Sequence, residues 1–382
     1  MKMSGTPKEA VEIKSIKWIV TAGITCAALL LACSIQAAAN RKTQNVILIT
    51  FDGLRWQEVF TGAEETLISK EHGGVGNTNA LRKAFWRETP EARREALLPF
   101  FWNVVAKGGQ LFGNTNKGSA VKVTNGHNFS YPGYNELLTG VADPRIDSNT
   151  NRPNPNINVL EWLNQKPAYR GRVAAFAAWE VFPYILNRER SGLPVRAGWE
   201  AMFTGKLDPR QQMLNEFMND ITPAFEDVVY DAFVVHGALD YLKSNKPRVL
   251  YVAFGETDDW AHDGHYDRVL QAANHTDHFI RQIWETAQSL PQYRDKTTLL
   301  VTTDHGRGNG LKEWKDHGQK THGSEYIWLG VMGPDTPTLG ERTDTAEMTQ
   351  SQVAATLAAF LGENYPVAFP RAAQPVSELI GK

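Results

Sequence analysis

Acids, imidazoles or a hydroxyl recur in this chain where an apolar run stops or is about to begin. Asp52 closes NVILITFD, and Glu256, Asp258, Asp259 and His262 follow RVLYVAFG. Asp304 and His305 close TTLLVTTDH, His317 and His322 stand in WKDHGQKTHG ahead of another apolar run, and Ser130 lies in NFSYPGYNELLTG. Singly, each has an ordinary explanation, because an acid after a strand makes a good turn or cap and a serine commonly caps a helix. Together they form a ligand set: three Asp and three neutral His suit two zinc-like divalent ions. Carboxylates converging without a cation would repel one another and raise each other's pKa, a cost that metal removes. Two ions about 3.5–4 Å apart would clamp the attacking and leaving oxygens of an in-line displacement. Ser130 would then be a metal-stabilised nucleophile at the start of the helical stretch Tyr134–Leu138, where helix N–H groups favour an anion; the alternative is a plain cap. For a Ser-His-Asp mechanism the imidazole nearest in sequence is His127.

Positioning these groups requires strands that end together. Apolar, β-branched runs at Asn45–Phe51, Arg172–Trp179, Arg248–Gly255, Thr297–Thr303 and Glu325–Met332 alternate with helical spacing at Leu98–Lys107, Asn158–Leu163, Phe225–Lys243, Asp267–Gln288 and Met348–Leu361. This alternation predicts an α/β fold: a three-layer α/β/α sandwich whose largely parallel central sheet has helices on both faces. In such a sheet the strand C-termini lie along one edge, so the loops carrying the acids and imidazoles converge on one crevice. Gly73–Asn79 and Asp143–Asn158 read as long site-forming loops. Trp56, Trp86, Trp102, Trp179 and Trp260 read as packing aromatics, and His236, His275 and His278 as helix-surface or packing residues. WRETPEARREALLPFFW reads as a solvated helix with one apolar face.

The first 39 residues stand apart. Lys14 and Lys17 precede an apolar run that ends in small residues at Ala37–Ala39, the layout of a secretory signal. Alternatives are an uncleaved anchor or lipidation at Cys33; each implies export, most simply to a periplasm, with membrane attachment only through this leader. Residues 40–382 then form a single catalytic domain. Both cysteines, Cys26 and Cys33, lie in the leader, so the mature chain has neither disulfide nor thiolate ligand. Removing the leader takes four of 40 Lys and Arg and two of 42 acids, leaving 36 against 40, a net charge of −4. No basic excess points to nucleic-acid duplex binding; the expected partner is a small-molecule substrate.

In their order along the chain these motifs resemble the alkaline phosphatase superfamily: Asp at the end of the first strand, Ser before a helix, D-x-x-x-H at Asp258–His262, the TDHG pair, and a late His-Gly before the last core strand. The resemblance covers most of Asn45–Gly362 and implies an alkaline phosphatase-like fold holding two divalent ions, zinc above all. It implies Asp258, His262 and His317 on one ion and Asp52, Asp304 and His305 on the other, with Ser130 bridging toward the second. It further implies hydrolysis of phosphate mono- or diesters through a phosphoseryl intermediate. For the late motif His317 is preferred over His322, and for D-x-x-x-H Asp258 over Asp259. Asn149 is expected to bind phosphoryl oxygen, with Asn151 and Asn154 as rivals, and Arg307 to pair with phosphate. A formylglycine sulfatase would carry Arg where Tyr134 stands. A cofactor-independent phosphoglycerate mutase would need a second domain for which the stretch between Ser130 and Asp258 has little room. The alternatives within this reading are a sulfate- or phosphonate-ester hydrolase, or a non-catalytic metal-binding protein of the same fold.

Overall fold

A computed structural model describes residues 41–381 and Met1. The proposed signal segment, its cleavage near Ala39 and the lipidation option at Cys33 lie outside the described residues. Among the described residues, no helix is long and apolar enough to cross a membrane.

Lys42–Gly381 packs as one compact unit. Its strands are β1 (Asn45–Phe51), β2 (Gly109–Phe112), β3 (Val121–Lys122), β4 (Val173–Ala177), β5 (Val195–Ala197), β6 (Val249–Phe254), β7 (Thr297–Thr303), β8 (Tyr326–Ile327), β9 (Leu329–Met332), β10 (Gly340–Glu341) and β11 (Met348–Thr349). Eight of them form one sheet in the order β10-β2-β9-β7-β1-β6-β4-β5. β1 lies at its centre, parallel to β6 on one side and β7 on the other, and every residue of β1 is buried. Both faces of such a strand are covered, which is why it reads as a continuous apolar run rather than an alternating one. Only β9 runs against its neighbours, β7 and β2. The small second sheet has the order β11-β3-β8.

Side-chain alternation along β6 shows the helical layers. Tyr251 points to one face, where its ring meets Phe182, which in turn meets Tyr134 of the helix Ser130–Thr139. Phe254 points to the other, against Phe279 of the long helix Tyr266–Ser289. On that same face Phe176 of β4 meets Tyr241 of the helix Asp231–Ser244.

Several elements depart from their sequence reading. The run Glu325–Met332 is two strands in two sheets, divided at Trp328, whose indole N–H donates to Leu54 O and whose ring meets Phe51 and Phe101 edge-on. The helix expected over Phe225–Lys243 begins only at Asp231, because Val228 bridges Trp179 and holds the preceding residues extended. Met348–Thr349 is strand β11, and the helix follows at Gln352–Phe360. Leu98–Lys107 contains a wide-turn helical segment at Phe101–Val105. In the charge-rich segment the helix is Pro90–Leu97, and Arg94 is buried: it pairs with Glu341 and lies over the Trp102 ring.

Candidate metal centre and nucleophile

Three neighbouring strands supply the carboxylates. Asp52 follows β1, Asp304 follows β7, and Asp258 lies on the short helix Glu256–His262 after β6. That helix places Asp258 and His262 four positions apart on one face, with His262 Nε2 3.1 Å from Asp258 Oδ2. His305, fully buried, has its Nε2 3.3 Å from Asp52 Oδ1, 3.6 Å from Asp304 Oδ2 and 3.6 Å from Asp258 Oδ1. His317 Nε2 stands 2.9 Å from His262 Nε2, and its ring stacks on His305 at 4.1 Å. The structure therefore brings all six sequence-predicted ligands together. Asp258, His305 and His317 form one group with metal-ligating separations, and Asp52, Asp304 and His305 another. His305 stands in both. His322 is exposed and belongs to neither group.

Both central imidazoles are held the same way. His305 Nδ1 lies 2.9 Å from Gly306 O and His317 Nδ1 3.0 Å from Asn128 O. A backbone carbonyl only accepts, so each Nδ1 carries the proton and each Nε2 presents a lone pair to the centre. Burial lowers the His305 pKa to about 4 and the His317 pKa to about 2, keeping both rings neutral as ligands must be.

The carboxylates are placed as firmly. Tyr134 OH donates to Asp52 Oδ2 at 2.9 Å, and the Gly53 N–H donates to Asp304 Oδ1 at 3.1 Å. Burial, and then the other carboxylates, push Asp52 and Asp304 well above the usual range. Burial also opposes ionisation of Asp258, but the Arg307 guanidinium and then His262 outweigh it and hold this carboxyl well below the usual range. A side chain at position 53 would meet Asp258 Oδ1 at 2.5 Å, so the close approach there requires glycine.

Ser130 is the first residue of its helix, and Phe129 is the N-cap. The serine is thus not the cap. Its Oγ lies 3.4 Å from Asp52 Oδ1 and 3.4 Å from His305 Nε2. The helix reaches this position because Gly133 lies against the Asp304 carbonyl, where a Cβ would come within 2.4 Å of the oxygen. His127 packs on Phe129, 5.6 Å between ring centroids. Asn149 Oδ1 accepts the Tyr131 N–H at 3.0 Å, next to the nucleophile, whereas Asn154 is buried and donates to Asn135. Arg307, expected to pair with phosphate, is buried, and its guanidinium donates to Asp258 Oδ1 and to the carbonyls of Asp258 and Lys315, while its Nε has no hydrogen-bond partner among the described residues.

Sequence reasoning misses Tyr134 and Asn128 as site residues. Tyr134 is four positions after Ser130, a spacing that puts both on one helix face, so a signal exists. Asn128 acts through its carbonyl with φ +53°, and nothing in its identity predicts that it faces His317.

The donor set fits divalent metal. Asp304 Oδ2 is buried without a hydrogen-bond partner, and three carboxylates face one guanidinium. Ligand atoms bonded at about 2.0–2.2 Å around a tetrahedral ion lie roughly 3.3–3.6 Å apart. The separations among His305, Asp52, Asp304 and Asp258 already match that spacing.

Residues 205–365 match the family model described as Metalloenzyme superfamily, a span that holds Asp258, His262, Asp304, His305 and His317. No curated protein matches the sequence. Among solved structures, the alkaline phosphatase PafA superposes with a TM-score of 0.58 at 9% identity, covering 89% of this chain and 99% of its own. A 2-O glycosaminoglycan sulfatase, BT1596, gives 0.53 at 12% identity, covering 89% and 75%. The phosphonate monoester hydrolase SpPMH from Silicibacter pomeroyi gives 0.53 at 13% identity, covering 88% and 76%. The fold is thus that of the alkaline phosphatase superfamily, in agreement with the resemblance carried by the motifs.

Proposed function

We propose that this alkaline phosphatase-like chain is an exported two-metal phosphoesterase acting through Ser130. The observation that carries the reading is the convergence of Asp52, Asp258, Asp304, His262, His305 and His317 around a buried serine hydroxyl that does not cap its own helix. Asp258, His262 and His317 would hold one ion and Asp52, Asp304 and His305 the other, with Ser130 beside the second. Zinc suits this all-oxygen-and-nitrogen set. When bound, the two ions supply charge for the phosphoryl oxygens and lower the pKa of water and serine hydroxyl.

The chain's own groups do the rest. Ser130 Oγ, its proton passed to solvent, forms a bond to phosphorus as the bond to the leaving alcohol's oxygen breaks, and that oxygen departs with the electron pair and takes a proton from water. Water then cleaves the phosphoseryl ester, returning a proton to the serine oxygen and releasing phosphate from a monoester or a phosphate monoester from a diester. Asn149 fixes the backbone beside Ser130, and Tyr134 holds Asp52 from the far side. Tyr134 occupies the position where a formylglycine sulfatase would carry arginine, which counts against that type of sulfatase.

The test measures metal content and turnover together. Purified protein is expected to hold two transition-metal ions per chain and to hydrolyse 4-nitrophenyl phosphate or its diester. Ser130→Ala is expected to abolish turnover while keeping the metal and the melting temperature. Undiminished activity in Ser130→Ala, or in chelator-treated protein free of metal, would refute the proposal. Preference for sulfate or phosphonate esters in the same panel would reassign the substrate within the fold.

A further inference from the structure

The two ligand groups differ in charge. Asp258 Oδ1 is the carboxylate oxygen that faces both central imidazoles, 3.6 Å from His305 Nε2 and 3.9 Å from His317 Nε2. The same oxygen accepts from Arg307 Nη2, so a ligand atom is in contact with a full positive charge. The guanidinium is fixed where it stands. Its Nη2 also donates to Asp258 O at 3.0 Å, and its Nη1 donates to Lys315 O. The loop that carries Arg307 is tied down by Arg55, whose Nη1 donates to Gly308 O at 3.3 Å and which is itself paired with Glu58 and Glu64.

Asp52 and Asp304 have neutral partners instead. Asp52 accepts from the hydroxyls of Tyr134 and Ser130, and Asp304 from the Gly53 N–H and the Thr303 hydroxyl. Among the described residues no guanidinium or ammonium contacts either carboxylate, whereas Asp258 already has its counter-charge. A divalent ion is therefore attracted by two carboxylates in one group and by a neutralised pair in the other. Exposure runs the same way. The His262 side chain is 46% exposed, while Asp52, Asp304 and His305 are buried, so water and a competing chelator reach His262 first.

We propose that Arg307 sets an order of metal loading: Asp52, Asp304 and His305 hold a resident ion, and Asp258, His262 and His317 hold an exchangeable one, so that turnover follows the concentration of free divalent ion. The proposal rests on the two-metal phosphoesterase reading and adds how its site is regulated. The experiment equilibrates the zinc-loaded full chain against graded concentrations of a zinc chelator and counts bound zinc by elemental analysis. The two ions of the wild type are expected to differ in affinity by at least about tenfold. His317→Ala is expected to lose the looser ion and keep the tighter one. Arg307→Gln, which retains donors for the Lys315 and Asp258 carbonyls, is expected to tighten the looser ion and narrow the gap, and Arg307→Met makes the same test should the glutamine variant not fold. Two ions that leave the wild type together overturn the proposal, as does loss of the tighter ion in His317→Ala. A looser ion that is unchanged or weakened without the guanidinium also overturns it, since Arg307 would then only hold Asp258 in place. A protein that hydrolyses no ester but releases its ions in this order refutes the phosphoesterase reading and upholds the order of loading. A chain that takes up no zinc overturns both.

Discussion

Gly133→Ala sets two physical effects against each other with opposite signs. Position 133 lies inside the helix Ser130–Thr139, where alanine is favoured over glycine by about 1 kcal/mol. The added methyl, however, would lie 2.4 Å from the Asp304 carbonyl oxygen and 3.0 Å from its carbon. Contact at about 3.2 Å would require a separation of roughly 0.8 Å, and overpacking of this kind costs about 1–3 kcal/mol. The carbonyl cannot easily yield, because Gln350 Nε2 donates to it at 2.6 Å and Asp304 itself is fixed by the Gly53 N–H. The helix must therefore move, carrying Ser130 away from Asp52 and His305. A displacement near 1 Å at a reacting group lowers turnover by about 100-fold. Thermal unfolding and single-turnover kinetics on 4-nitrophenyl phosphate, with metal content measured, provide the assay. The expected outcome is a lower melting temperature and a kcat reduced by one to two orders of magnitude at unchanged metal stoichiometry. A variant that melts higher and turns over at the wild-type rate would show that helix propensity decides this position and that the close approach has no role in placing the nucleophile.

Glu136 is a buried carboxylate that accepts from the N–H groups of Thr124 and Asn125 and from the hydroxyls of Thr124 and Ser351. Glu136→Gln is expected to cost at least about 2 kcal/mol in urea unfolding by turning an amide N–H donor toward those donors. Asn128→Gly keeps the left-handed backbone that presents a carbonyl to His317, whereas Asn128→Ala strains it by about 1–2 kcal/mol; competition with a chelator should show weakened metal retention only in the alanine variant. Burial lifts the Asp277 carboxyl to about 7 against the N–H groups of Phe100 and Phe101. Its folded pKa exceeds its unfolded one, so its contribution is fully present below about 4 and is lost as pH climbs through 7. Unfolding free energy should therefore fall more between pH 5 and pH 8 in the wild type than in Asp277→Asn, and equal slopes would contradict this.

How legible these features are in the sequence depends on their length and surroundings. β1, β6 and β7 are readable because central parallel strands must be apolar on both faces, and their ends point directly to Asp52, Asp258 and Asp304. β2, β5 and β10 are too short to show any periodicity. The segment Phe225–Val229 has helical spacing, yet tertiary pairing of Val228 with Trp179 overrides it. Residue type marks His305 and His317 as candidate ligands, but not the Gly306 and Asn128 carbonyls that set their tautomers, since backbone acceptors leave no trace in composition. Arg307 beside the Asp304–His305 pair suggests a phosphate contact, and only the fold shows that Asp258 is nearer.

The bond from Gly53 N–H to Asp304 Oδ1 joins groups 251 residues apart, across the β1–β7 pairing. No fragment that stops short of β7 can assemble this cradle, and pairings so remote in sequence are slow to form. Ion uptake during refolding thus serves as a clock for completion of the central sheet: a nascent or truncated chain lacking β7 will appear metal-free however much helix it has acquired.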